Sequence, residues 1–408
     1  MKYVLGGLII LFASYSDIFL YRIGIIPVPP AEFLLPLFMG VFLLKYSIKD
    51  FIDLFRSHSF KLFLSILIFS ITYAAFSQAS SEIITQKIVL NTFTLLLYTF
   101  VVHYFRAEDK KTVIIVVSLC LAVLAGSMLY DFFIGLPKYN LRLSQNVRKG
   151  GFAENPNGAA SGIKFLALGL LVLINKNKKL RYFTIAVMVI TVFLTLSRSG
   201  MVSIVLILIF GTMNNWSSKI KLDPKTVFLS FFKIIALFSI IYISLLSFSE
   251  VIRENFPQFS RGAAGQRMDM LLGKSELKID EGGTSGGRGV LLVEFFIDFL
   301  DHPMGRGTGY SSDKNFNNLN SHNYFLYLGI NFGLLSLLIY LYYIGYSVKL
   351  SLKYDQFYYL IFVVLMIFEG FVSHNIWHTR TLIICLALFD SQIYRKFTDN
   401  QNELPIAQ

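Results

Sequence analysis

The chain has 408 residues, 55% of them hydrophobic and 16% aromatic, with only 15% charged and a mean hydropathy of +0.60. Water-soluble domains do not carry that much apolar material, so composition alone points to a polytopic membrane protein. The formal net charge of +12 is spread over loops that alternate along the chain, which excludes a continuous basic face for nucleic acid.

A helix needs about 20 apolar residues to cross the hydrocarbon core, and roughly twelve runs meet the pattern. They lie near 3–20, 28–44, 60–77, 87–104, 112–134, 157–174, 182–197, 200–213, 226–248, 322–344, 356–372 and 380–394. The expectation is an all-α chain, a single helical membrane domain over 1–408. The first run lacks a small-residue cleavage site and is followed by further runs, so it reads as a retained anchor. The pair 182–197 and 200–213 is short in both halves and leaves open a single bent or re-entrant unit around Ser197-Arg198-Ser199-Gly200.

Lysine and arginine near helix ends resist translocation. Lys45, Lys49, Arg56, Lys61, Arg106, Lys110, Lys111, the 176–181 cluster, Lys219, Lys221, Lys225, Lys349, Lys353, Arg395 and Lys396 fall on one side if twelve spans are counted. That side is then the cytoplasm and holds both termini. Two long loops, 135–156 and 249–321, the second carrying short helices, fall on the other. Their arginines (Arg142, Arg148, Arg253, Arg261, Arg267, Arg288 and Arg306), with Arg198 and Arg380 at short outer turns, are not needed for insertion. Guanidinium binds phosphate through a planar fork, so this set points to an anionic ligand. Pairing with lipid headgroups and loop carboxylates such as Glu250, Glu254, Asp269 and Glu276 is the competing explanation for any one of them.

Within the apolar runs, Cys120 and Cys385 read as packing residues, and Lys164, Lys233 and Glu369 as the few buried charges. Asn155-Pro156-Asn157-Gly158 reads as a turn and helix cap. Arg198 is the sharpest signal, because an arginine between two apolar runs is costly unless it faces water, a cavity or an anion. Ser197 and Ser199 add hydroxyls and Gly200 opens a helix whose N-terminus favours the same anion.

From Arg288 to Leu300 the pattern is that of a helix lying on the membrane surface, with Glu294 and Asp298 on one side, more plausibly solvated than a catalytic pair. Gly305, Gly307 and Gly309 lack the strand and helix of a dinucleotide site and fit a tight turn. His322 opens the next run, where a neutral imidazole suits removal of a proton from a sugar hydroxyl; a capping or interfacial histidine is the alternative. Asn323 is placed to orient it or the substrate. In the stretch 374–380, Trp377 offers a ring for sugar stacking or for an interfacial belt.

Taken in order, Arg148 to Asn157 (RKGGFAENPN), Leu196 to Gly200 (LSRSG), Arg288 with its helix, Gly305 to Gly309 and Ser321-His322-Asn323 resemble the bacterial O-antigen polymerase and ligase superfamily over roughly residues 140–345. The resemblance implies an inverting, metal-independent glycosyltransferase of the bacterial inner membrane, without a cofactor, working at the periplasmic face. Its partners would be an undecaprenyl-pyrophosphate-linked oligosaccharide donor and acceptor, membrane lipids and a chain-length regulator. By the same resemblance Arg198 and Arg288 would grip the pyrophosphate and His322 would be the catalytic histidine. Arg142 and Arg148 are added to the grip from the residues themselves, and Ser197, Ser199 and Asn323 as orienting groups. A Gly-rich, lysine-bearing loop before Arg288 and the lack of tryptophan in the helix after it depart from the family pattern. Asp17 and Glu32 flank the first outer loop without forming a DxD-type pair. A polymerase is the expected activity, with a ligase acting on lipid A core as the near alternative and a flippase as one of another class.

Overall fold

The computed structural model describes residues 2–27, 36–37, 39–40, 44, 46–137, 148–221, 223–256, 265, 268–269, 272–273, 288–317 and 320–402. Among them every regular element is helical, and no strand occurs. In chain order the helices are α1 (Lys2–Ala13), α2 (Ser16–Arg22), α3 (Ile48–Leu54), α4 (His58–Thr72), α5 (Ser81–Ala107), α6 (Lys110–Phe133) and α7 (Pro156–Leu173). They continue as α8 (Lys178–Leu194), α9 (Arg198–Met213), α10 (Pro224–Asn255), α11 (Arg288–Asp301), α12 (Tyr324–Lys353), α13 (Phe357–Val372) and α14 (Arg380–Asn402). Side-chain caps fix where many of them start. Ser57, Asp109, Asn155, Asn177, Ser197 and Asn323 each accept a hydrogen bond from a first-turn backbone N–H.

Among the described residues, five helices are long and apolar enough to cross a membrane, or six if α1 and α2, which meet at 70°, form one bent span. The expected count of twelve is therefore not reproduced. At 17, 16 and 16 residues, α8, α9 and α13 stop short of the roughly 20 that a straight crossing takes, and the run 28–44 lies largely outside the described residues. Around 182–213 the chain forms two helices joined across Thr195–Ser197, with Leu196 at φ 51°.

Helix α7 sits at the centre, 89% of its span being buried inside the bundle. Helices α14 and α9 run parallel to it. Gly162 lies against Thr381 and Gly169 against Leu388 and Cys385, while Gly200 of α9 lies against Ala160. Helix α5 runs parallel to α14, joined by Thr94 Oγ1 to the Trp377 carbonyl at 3.0 Å and by Tyr98 Oη to Asp390 at 2.6 Å. Arg395 Nη2 donates to the carbonyls of Phe105 and Glu108, and Lys396 to that of Tyr354 at the far end of α12. The N-termini of α5, α7, α9, α12 and α14 thus gather at one end of the bundle.

Buried charge is more abundant than the sequence led us to expect. Lys164, 0% exposed, pairs with Glu369 and donates to Ser203 at 2.9 Å, tying α7, α9 and α13 together. Lys87, Asp131, Arg181 and Asp390 are also buried, whereas Lys233 is exposed on α10. Removing one partner of a buried pair strands the other charge, which costs about 3–5 kcal/mol. Glu369→Gln should accordingly lower the thermal unfolding temperature of the full chain in nanodiscs, and Lys164→Met with Glu369→Leu should recover most of it. Equal melting of wild type and Glu369→Gln would remove the pair from the stability of the bundle.

The run 322–344 also conceals a break. Gly333 adopts φ 75°, ψ −177° inside α12, and the freed backbone groups are satisfied by the preceding loop: Arg306 N donates to Ile330 O at 2.7 Å, Gly307 N to Asn331 O at 3.0 Å, and Leu334 N to Pro303 O at 2.9 Å. A Cβ on Gly307 (φ 104°) would lie 2.3 Å from Ser77 Cα. The glycines of 305–309 thus let the loop lie flat against the broken helix, which carries Tyr310 and Ser312 back toward the gathered N-termini.

Candidate active site

At that end, the motifs around Arg148 and Arg198 meet. Asn155 caps α7, with Pro156 in its first turn, and so places Asn157 where its Oδ1 accepts from both Arg148 Nη2 and Ser197 Oγ, each at 3.0 Å. Arg148 Nε donates to Thr195 O at 3.1 Å. Ser197 accepts from Gly200 N at 3.3 Å and lies 3.4 Å from Ser199 Oγ. Behind Arg148, buried Asp131 accepts from Gly150 N at 3.1 Å and Gly151 N at 3.0 Å, anchoring the 148–153 segment to α6. Arg148 is itself 6% exposed, and two of its donors bind protein groups, which makes it a strut of this arrangement.

Arg198 is what the strut holds up. It is the first residue of α9, is exposed, and has no hydrogen-bond or ion-pair partner among the described residues. The other described outer arginines differ: Arg306 pairs with Asp298 at 2.6 Å, Arg380 with Asp17 at 2.6 Å, and Arg253 with Asp269. For those three, the anionic-ligand expectation gives way to pairing with carboxylates, which the loops and α2 supply. Asp298 is thereby a partner of Arg306, and Glu294 is exposed. Arg288 begins α11; Arg142, Arg261 and Arg267, and the side chain of Arg288, lie outside the described residues.

His322 stands just before α12 in a left-handed conformation, φ 49°, a backbone state that costs a non-glycine residue about 1 kcal/mol or more. The next residue makes the turn worthwhile: Asn323 Oδ1 caps α12 by accepting from Leu326 N at 3.1 Å. Asn323, expected to orient the substrate, is buried and engaged as that cap. The His322 ring lies edge-on to His374, with centroids 5.5 Å apart. Among the described residues no hydrogen bond or ring contact joins His322 directly to the Arg198 cluster; what they share is the end of the bundle.

His374 also lines a cavity of about 260 Å³ with Gln86, Lys87, Ser312, Asn375 and His378. Burial pushes the His374 and His378 imidazoles down to about 3, with the nearby Lys87 charge acting in the same direction, so both rings are neutral near pH 7. His378 Nε2 lies 3.2 Å from Asn91 Oδ1. Trp377, expected to stack on sugar or to sit in an interfacial belt, is instead 2% exposed and packs edge-on to Phe63. Its ring fills the core because the short helical turn 376–378 points inward. Sequence reasoning missed Lys87, whose position at the head of an apolar run gave the appearance of an ordinary interfacial lysine.

Residues 183–341 match the family model described as O-antigen ligase. The matched segment is less than half of the chain; it begins in α8, ends in α12, and contains Arg198, Arg288 and His322. A search of curated proteins found no match.

Proposed function

From the O-antigen polymerase and ligase superfamily, which the match over residues 183–341 supports, we propose that the chain is a surface-polysaccharide polymerase. It moves a growing glycan from undecaprenyl pyrophosphate to a hydroxyl of the next lipid-linked repeat unit. The site faces the periplasm, the two loops 135–156 and 249–321 lie on that side, and both termini are cytoplasmic. The acceptor oxygen attacks the anomeric carbon from the face opposite the pyrophosphate, the carbon–oxygen bond to the phosphate breaks, and the configuration inverts. His322 takes the acceptor proton. Arg198 and Arg288 hold the pyrophosphate as its charge develops, a task that preorganised guanidinium groups perform without reorganisation.

The observation that carries this reading is Arg198: a guanidinium at a helix N-terminus, unpaired among the described residues, held up by a buried Arg148–Asn157–Ser197 network. Such an arrangement has donors and field prepared for an anion that the protein itself does not provide. Transfer to lipid A core is the second reading, favoured by the ligase description of the matched family. In a deletion strain, a core bearing one repeat unit without a ladder is expected for the polymerase. Bare core with long chains left on the lipid carrier would replace it by the ligase.

A further inference from the structure

The cavity next to His374 holds a buried charge and buried polar atoms that the described residues leave without partners. Lys87 is 6% exposed, and among the described residues it has neither a hydrogen bond nor an ion pair; its ammonium lies 5.5 Å above the Tyr327 ring, which is weak compensation for a buried charge. Among the described residues no carboxylate lines the cavity. The rings of His374 and His378 are neutral, so the lysine ammonium is the cavity's charge. Among the described residues three lining side chains also hold buried polar atoms without a hydrogen-bond partner: Ser312 Oγ, His374 Nδ1 and Asn375 Oδ1. Buried donors and acceptors of this kind call for water or a ligand with several polar groups. At about 30 Å³ per water, the 260 Å³ of the cavity has room for one sugar ring.

We propose that this cavity is a subsite for one sugar carrying a single oxyanion, a carboxylate or a phosphate, with Lys87 as its counter-charge and Ser312, His374 and Asn375 binding its hydroxyls. A compact ammonium suits one oxyanion, whereas a pyrophosphate is better matched by the forked guanidinium assigned to it at Arg198. Because the His374 ring is shared with His322, the subsite lies next to the proposed base. It would hold the sugar unit of a substrate whose hydroxyl or anomeric carbon reacts there. The location next to the reacting centre rests on the proposed function; the binding itself does not.

The test is ligand-observed NMR on the full chain in nanodiscs, with glucuronate, glucose 6-phosphate and glucose as probes, for wild type, Lys87→Gln, Lys87→Arg and Arg198→Ala. Wild type should bind at least one of the two anions more tightly than glucose. Lys87→Gln should lose that preference by roughly tenfold or more, the order a charge-assisted hydrogen bond carries, while Lys87→Arg keeps part of it and Arg198→Ala still binds the preferred anion more tightly than glucose. The tighter of the two anions identifies carboxylate or phosphate. Equal binding of glucose and both anions by wild type, or an anion preference retained in Lys87→Gln, overturns the subsite. Turnover is not read in any arm, so a failed polymerase assignment and a failed subsite give different results.

Discussion

Arg198→Ala should lower turnover on the order of 100-fold or more, equivalent to about 2–4 kcal/mol of lost transition-state stabilisation. Pyrophosphate is already a good leaving group, and what it needs from the protein is stabilisation of the charge that grows on its bridging oxygen. The side chain is exposed and bound to nothing among the described residues, so its loss leaves the packing of α9 on α7 intact and expression and melting should match wild type. Arg198→Lys should recover little, since an ammonium cannot reproduce a two-point contact. Arg148→Ala gives the contrasting result. It removes hydrogen bonds to Thr195 and Asn157 from a buried position, so stability and activity fall together. Steady-state transfer assays on purified protein, with melting measured in parallel, separate the two. Wild-type turnover in both Arg198 variants would take that residue out of the site.

Arg198 was legible in the sequence because a charge between two apolar runs has few inexpensive explanations, and Asn155 because Asn-Pro before an apolar run is a cap in most settings. Their meeting through Asn157 was not read from the sequence; periodicity cannot show that two helices start side by side. Three features were hidden for identifiable reasons. The break at Gly333 lies in a run whose hydrophobicity never falters, since the loop 303–307 supplies the missing hydrogen bonds from elsewhere in the chain. Lys87 begins a run, where a lysine normally snorkels toward water, and only the fold puts the loop 374–378 over it. The pairing of Asp17 with Arg380 spans almost the whole chain, and so the sequence could not show that Arg380, like Arg306 and Arg253, is paired with a carboxylate. The count of twelve spans is not reproduced among the described residues for a related reason: apolar runs measure hydrophobicity, and α8, α9 and α13 are shorter than a straight crossing takes.

His322→Ala should reduce transfer about 100- to 10,000-fold, the range associated with a positioned general base, and in cells should abolish the polysaccharide ladder. A structural role would predict a different pattern. The residue sits in a left-handed turn, a conformation that asparagine also tolerates well, so His322→Asn should fold normally and still be inactive. The pH profile gives a second readout. An imidazole accepts a proton only when neutral, so a general base at His322 acts only in its unprotonated form. His374 and His378 do not titrate in the window between about pH 5 and 8, because burial holds both down to about 3. His374→Gln should therefore leave an acidic limb in that window where it was, although it removes a ring that touches His322. The residual rate of His322→Ala should have no such limb. A ladder unchanged in His322→Ala, or an acidic limb that moves with His374 instead, would transfer the proton to another group and leave His322 as the residue that turns the chain into α12.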